Sequence, residues 1–284
     1  MRCPTLSATA LTLGVRGAWG LATCFVGTSQ SYQPQSEALA ARLGLPQLNP
    51  PYHDKDCSFM LRYNEEGILC LETPHNKAFS PLYVDFLAGK LRHRAQSGGG
   101  EMVVKAVRCK GQPLEETRCI DMTAGLGTDS FVLAGAGCDV VMVERSPVLG
   151  ALLGDALRRM GEAEAPGEGT PRQLRMRLIE ADSTSGVDLL QGQEPPHVAY
   201  LDPMFPKTTK SALVKKGMQM LHGLVGEGCS AEEEERLLTT ALSLATRKVV
   251  VKRAIKSPVL AGQVAPSHQV LSKKCRFDVY LTGN

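Results

Sequence analysis

The stretch Tyr200-Leu201-Asp202-Pro203-Met204-Phe205-Pro206 closes a short apolar run with a carboxylate, two prolines and an aromatic ring. An exocyclic amine on a heterocyclic base is a poor nucleophile, because its lone pair is delocalised into the ring. A carboxylate at Asp202, helped by a backbone carbonyl near Pro203, can accept hydrogen bonds from both amine N–H groups. That orients the amine and favours the positive charge that builds up as it attacks. Proline fixes φ and holds its carbonyl in a rigid turn. Phe205 can stack on a flat base, an interaction worth on the order of 1–3 kcal/mol. Taken alone, the stretch reads equally well as a proline-rich turn with a capping Asp and a buried Phe.

A second stretch, Asp121-Met122-Thr123-Ala124-Gly125-Leu126-Gly127-Thr128-Asp129, follows another apolar run. Glycines at 125 and 127 let the backbone pass close to a ligand without a Cβ clash. Glu144 ends the next expected strand, where a carboxylate can accept from both hydroxyls of a ribose. These features describe an adenosine-type cofactor site. Gly125-x-Gly127-x-x-Ser130, with an acid 19 residues after Gly125, imitates a dinucleotide fingerprint. The third glycine is missing, however, and Asp121 is awkward against a pyrophosphate. A carboxylate there suits the cationic amino-acid part of S-adenosylmethionine. A glycine turn with no ligand has the same local sequence, and no G-K-[ST] follows to make a P-loop.

These residues need a frame. From residue 118 onward, apolar strands alternate with helices: strands at 119–121, 139–143, 174–179, 198–201 and 248–252, helices at 130–136, 147–160, 213–224 and 231–245, and a final hairpin over 269–281. Proline at 147 suits a helix start. The alternation predicts an α/β fold with a doubly wound, mostly parallel sheet covered on both faces. Ligands in such sheets sit beyond the carboxyl ends of the strands, where both stretches fall. Residues 36–96 form a small N-terminal α+β appendage, with a hairpin of 59–63 and 68–72 around Asn64-Glu65-Glu66-Gly67 and a strand at 83–86. Residues 97–284 form the main domain, which opens on Ser97-Gly98-Gly99-Gly100 and a helix at 101–108. Residues 161–171 read as a polar loop.

The chain has 284 residues, 43% of them hydrophobic, and a net charge of +3, so its bulk charge selects no partner. The charge is distributed unevenly: basic residues crowd into 90–94, 207–216, 247–256 and 273–276, whereas the acidic run 232–235 reads as a solvated first helical turn. Nine cysteines stand at irregular spacing with no C-x-x-C, which gives no zinc signal and fits buried thiols in a reducing compartment. No apolar stretch is long enough to span a bilayer. Residues 1–35 hold Arg2 and Arg16, no acid, and many Ser, Thr and Ala. That is the composition of an organellar transit peptide or of a loose extension; Gly14, Gly17 and Gly20 interrupt any amphipathic helix. A cytoplasmic monomer is the expectation.

The pairing of the two stretches is specific. Asp202-Pro203-Met204-Phe205 resembles the [DNS]-P-P-[FYW] motif of amino-group methyltransferases. More closely, DMTAGLGTDSFVLAGAGCDVVMVERSP, YLDPMFPKTTKSALVKKGM, VVVKRAIKSPVLA and KKCRFDVY resemble the bacterial-type 16S rRNA (guanine 1516-N2) methyltransferase family, over about residues 36–284. The resemblance implies a class I, Rossmann-like methyltransferase with S-adenosylmethionine as cofactor, no metal, and small-subunit rRNA or the 30S particle as partner. It implies cofactor contacts from Thr128, Asp129, Glu144, Arg145, Asp182, Ser183 and Asp202, beside the loop residues Asp121, Gly125 and Gly127. Asp202, Pro203 and Phe205 are the expected catalytic group. Lys207, Lys210, Lys215 and Lys216 are expected on phosphates flanking an extruded nucleotide, with Lys252 and Arg253, and Arg92, His93 and Arg94, extending the track. The chain departs from the family pattern at Thr128, commonly Arg, and at Ala254, commonly Pro. The alternatives are an NAD-dependent oxidoreductase using the same glycine loop, or a non-catalytic rRNA-binding assembly factor.

Overall fold

Short apolar runs early in the chain cannot each bury a face alone, and they pair. Cys24–Gly27 (β1) runs parallel to Gln47–Leu48 (β2) on one side and to Phe59–Tyr63 (β3) on the other. Between β1 and β2 lies helix Gln33–Leu43 (α1), which Gly44 ends in the left-handed conformation at φ 62°. β3 returns antiparallel into Leu69–Glu72 (β4), as the sequence predicts. The Asn64 side chain fastens the turn by accepting from the backbone N–H groups of Glu66 and Ile68. The sheet order is β2-β1-β3-β4. Phe25, Cys57 and Met60 form its small core with Leu48 and Tyr52. The extension expected over 1–35 is therefore shorter, since from Cys24 the chain is already sheet.

The structure, a computed structural model, describes residues 24–52, 57–76, 78–87, 89–96, 100–163, 174–190, 192–203, 219–220, 223–224, 229–260, 264–273 and 275–283. These fall into two compact units: residues up to Leu82 with 219–220 and 223–224, and the rest from Tyr83 onward. Most of the helix expected at 213–224 and the polar loop at 164–171 lie outside the described residues, while 161–163 belong to a helix.

In the second unit, residues 83–86 form no strand. Val84 and Phe86 are nonetheless buried while Tyr83 is exposed: Phe86 stacks on Phe131 at 4.8 Å, and the Val84 carbonyl accepts from Arg159. Helices Gly89–Gln96 (α2) and Met102–Val107 (α3) come next. α2 has no apolar stripe. Its seat is Ala95 against Gly135, where an added Cβ would meet the Ala95 Cβ at 2.6 Å. The alternation then runs Arg118–Asp121 (β5), Thr128–Gly135 (α4), Asp139–Glu144 (β6), Pro147–Ala163 (α5), Met176–Glu180 (β7), Val198–Leu201 (β8), Ala231–Leu244 (α6) and Lys248–Ala254 (β9), and ends in the antiparallel strands His268–Leu271 (β10) and Cys275–Leu281 (β11).

The sheet order is β10-β11-β9-β8-β5-β6-β7, with β5 to β9 parallel and β11 antiparallel to β9. The chain moves from β5 outward through β6 and β7, then returns to place β8 on the other side of β5. That reversal opens a crevice at the carboxyl ends of β5 and β8. One face of the sheet buries Ile120, Val141, Val143, Leu201, Val249 and Val251 against Leu237, Leu238, Ala241 and Leu244 of α6. The acidic run caps that helix: Ser230 and Glu233 form a reciprocal capping box. Cys57 and Cys70 are buried, and Cys109, Cys119 and Cys138 are buried free thiols. Among the described residues no helix is long and apolar enough to cross a membrane.

Candidate functional site

The crevice is built from the ends of β5, β6, β8 and β9. Asp121, at the last position of β5, is buried and organises the loop that follows. Its Oδ1 accepts from the backbone N–H of Thr123 at 3.1 Å and its Oδ2 from the Ser130 hydroxyl at 2.5 Å. Burial pushes its carboxyl up to about 7, against the pull of those two donors. Asp121 thus holds the loop from behind, through protein donors.

The two glycines do different work. Both are left-handed, at φ 57° for Gly125 and 67° for Gly127. A Cβ at Gly127 would strike Leu153 Cδ2 at 2.9 Å and Phe86 Cζ at 3.0 Å, so this glycine serves packing. A Cβ at Gly125 would meet only the Thr123 carbonyl at 3.9 Å. The backbone there faces open space, as a ligand-facing turn must. Its N–H donates to Glu144 Oε2 at 2.8 Å, while Glu144 Oε1 accepts from the Ser146 N–H at 2.8 Å. Each oxygen keeps a lone pair for a further donor such as a ribose hydroxyl. Burial raises the Glu144 carboxyl, opposed by those backbone donors.

After β7, Asp182 accepts from Thr184 N–H at 2.8 Å and Thr184 Oγ1 at 2.7 Å. Burial pushes its carboxyl up, but the Thr184 donors and Arg145 outweigh it and leave it below the ordinary value. It is an ionised acceptor. Ser183 turns its hydroxyl inward to the Met122 carbonyl and ties this loop to the glycine loop. Arg145 pairs with Glu233 at 3.5 Å. Thr128 is exposed.

Asp202 follows β8. Its backbone N–H donates to Thr123 Oγ1 at 2.6 Å, so the amine-acceptor candidate and the glycine loop are fastened together. Its Oδ2 lies 2.7 Å from Lys252 Nζ, and the same ammonium lies 2.7 Å from Asp129 Oδ2. The Tyr200 hydroxyl donates to that Asp129 oxygen at 2.7 Å. Arg94 approaches Asp129 Oδ1 at 3.8 Å and forks onto Glu101 at 3.0 Å. Burial raises the Asp202 carboxyl while Lys252 opposes it. Burial alone would lower Lys252, but Asp202 and Asp129 outweigh it and hold the ammonium above its ordinary value.

Two sequence expectations need correction. Lys252 and Arg253 are adjacent, so on a strand they point to opposite faces. Lys252 enters the cluster just described rather than an open phosphate track. Arg253 is only 3% exposed and donates to the Pro258 carbonyl at 2.9 Å and to Glu234 at 3.2 Å, so its guanidinium is committed inside the protein. Arg94, likewise, is engaged with Glu101, while Arg92 and His93 are exposed on α2. Phe205, Lys207, Lys210, Lys215 and Lys216 lie outside the described residues; Pro203 is described and buried. Sequence reading assigned no role to Tyr200, Thr123 or Ser130. Strand alternation was a usable signal for Tyr200, which shares the face of β8 opposite to Leu201.

Over residues 39–282 the chain matches the family described as "Putative SAM-dependent methyltransferase". It is 42% identical over 246 residues to the ribosomal RNA small subunit methyltransferase J of Nitrosococcus oceani, covering 86% of this chain and 92% of that one. It is 43% identical over 243 residues to the protein of the same name from Stutzerimonas stutzeri, covering 85% and 88%. Among solved structures it resembles a SAM-dependent methyltransferase from Neisseria gonorrhoeae, with a TM-score of 0.66 and 32% identity over 92% of this chain and 96% of that one.

Proposed function

The chain belongs to the ribosomal RNA small subunit methyltransferase J family and is a class I methyltransferase dependent on S-adenosylmethionine, and from that premise we propose that it methylates the N2 amine of one guanine, guanine 1516, in small-subunit (16S) rRNA. The observation that supports this most is the bond between Asp202 and Thr123: an amine-acceptor carboxylate is fastened to the cofactor loop by one 2.6 Å hydrogen bond. Oxidoreductase and assembly-factor readings are not favoured.

When bound, S-adenosylmethionine supplies a methyl group made electrophilic by its sulfonium. The residues present fit it: the open backbone at Gly125, the spare lone pairs of Glu144 for the ribose, and ionised Asp182 for the adenine amino group. Thr128, Asp129 and Arg145 occupy the remaining family positions. Asp202 accepts an N–H of the guanine amine, with the carbonyl near Pro203 taking the other, and stabilises the positive charge that develops on nitrogen. It is also placed to take the proton that the amine sheds. Phe205 stacks on the base, and Lys207, Lys210, Lys215 and Lys216 meet the flanking phosphates. The protein acts as a cytoplasmic monomer on free rRNA or on the small-subunit particle.

Labelled methyl transfer to naked small-subunit rRNA, the small-subunit particle, tRNA and DNA, followed by mapping of the modified base, tests this reading. Label on N2 of one guanine of the small-subunit rRNA is expected. Transfer confined to tRNA or DNA overturns it.

A further inference from the structure

The cluster at the end of β9 suggests a role for a residue that the functional reading leaves unused. Lys252 Nζ lies 2.7 Å from one oxygen of Asp202 and 2.7 Å from one oxygen of Asp129. Among the described residues, Asp202 Oδ1 takes no hydrogen bond, and the Asp202 side chain is 35% exposed. The two oxygens of Asp202 are therefore unequal: one is held by the protein, the other is open.

We propose that Lys252 is a positioning residue for methyl transfer, which pins Asp202 Oδ2 so that Oδ1 faces the guanine amine as a charged acceptor. This rests on the proposed function and adds no bond-making step to it.

The charges around Asp202 show why an ammonium is needed. Asp129 comes from α4, Asp121 from β5, Tyr200 from β8 and Arg253 from β9. Arg94 sits on the far side of Asp129, shared with Glu101. Arg253 points to the other sheet face and is spent on Glu234. Among the described residues, Lys252 is thus the cation that touches both Asp202 and Asp129. Without it, the Asp202 carboxylate faces the Asp129 side chain with no ammonium between them, which favours the protonated form of Asp202. A protonated Asp202 offers no full charge to an amine that is becoming positive. A second consequence is orientational. An unpinned carboxylate rotates about its terminal torsion, which is broad, and loses a fixed acceptor direction.

The test compares wild type, Lys252→Met and Lys252→Arg in single-turnover transfer to small-subunit rRNA across pH, with S-adenosylhomocysteine affinity and thermal melting measured alongside. Lys252→Met is expected to lose at least about tenfold in kcat at neutral pH, with KM for RNA and cofactor affinity changed by less than about threefold. Its acid limb should move up by about one pH unit or more, since the carboxylate that must be ionised has lost its cation. Lys252→Arg should restore most of both. If Lys252→Met does not fold, Asp129→Asn carries the test: with one anion removed, Lys252 answers Asp202 alone and the acid limb should move down. An acid limb that stays in place in the folded variants overturns the proposal. So does the signature of a phosphate contact, a raised KM for RNA with a salt slope smaller by about 1 and an unchanged kcat. Wild-type protein that methylates no rRNA overturns the functional reading and this inference together, whereas normal wild-type transfer with an unmoved limb overturns the inference alone.

Discussion

Arg253 and Arg276 face one another across β9 and β11, and both donate into the turn that follows β9. Arg253 Nε reaches the Pro258 carbonyl at 2.9 Å; Arg276 Nη1 reaches the carbonyls of Ile255 and Ser257 at 2.8 and 2.6 Å. Each guanidinium also meets a carboxylate, Glu234 at 3.2 Å and Asp278 at 2.8 Å. Two buried arginines therefore staple the chain just past Lys252, at the edge of the sheet where the site lies.

Arg253→Met should destabilise by about 3–5 kcal/mol, because it removes the buried cation facing Glu234. Urea unfolding measures this. KM for RNA in the folded fraction should not change. An undiminished stability with lost RNA affinity would return Arg253 to the phosphate track.

The glycines of the loop should separate cofactor binding from folding. Gly125→Ala places its Cβ in open space, so its stability cost should be limited to the left-handed backbone, about 1–2 kcal/mol, while cofactor affinity falls by about tenfold or more. Gly127→Ala carries the same backbone cost and also drives a methyl against Leu153 and Phe86 at 2.9 and 3.0 Å, so its melting temperature should fall further. Calorimetric titration with S-adenosylhomocysteine and thermal melting together read the contrast. Equal melting losses would contradict it.

Asp121 should leave a pH signature in stability. Burial raises its carboxyl from 3.8 to about 7. A carboxyl whose folded pKa stands above its unfolded value holds its proton more tightly in the folded chain, so its contribution is fully present below the unfolded pKa and is lost as pH rises through about 7. Asp121→Asn keeps an acceptor for the Thr123 N–H and a donor for Ser130 but does not titrate. The stability of wild type relative to Asp121→Asn should therefore be highest near pH 4, decline toward pH 7 and then level off. A difference that is constant with pH would show that Asp121 does not titrate in this window.

The parallel sheet was legible because β5, β6 and β8 are short apolar runs that close on a carboxylate, and β9 carries the apolar run 249–251. The same feature located Asp121, Glu144 and Asp202 at the carboxyl edge. What escaped sequence reading has physical reasons. α1 buries only Ser36, Leu39 and Ala40, too weak a stripe to register. α2 docks through the Ala95–Gly135 contact, and small-on-small packing has no hydrophobic signature. The Lys252-Arg253 pair looked like one basic patch; strand alternation divides it between two faces, and only tertiary neighbours show that one side meets Asp129 and Asp202 and the other Glu234.

The central claim is that Asp202 is the acceptor that prepares a guanine amine for methylation. Single-turnover transfer of labelled methyl to small-subunit rRNA by Asp202→Ala, with cofactor affinity measured on the same preparation, tests it most directly. A folded protein that still binds cofactor, though more weakly, and transfers about 10²–10³-fold more slowly is the predicted result. Near-normal transfer by that variant would contradict it.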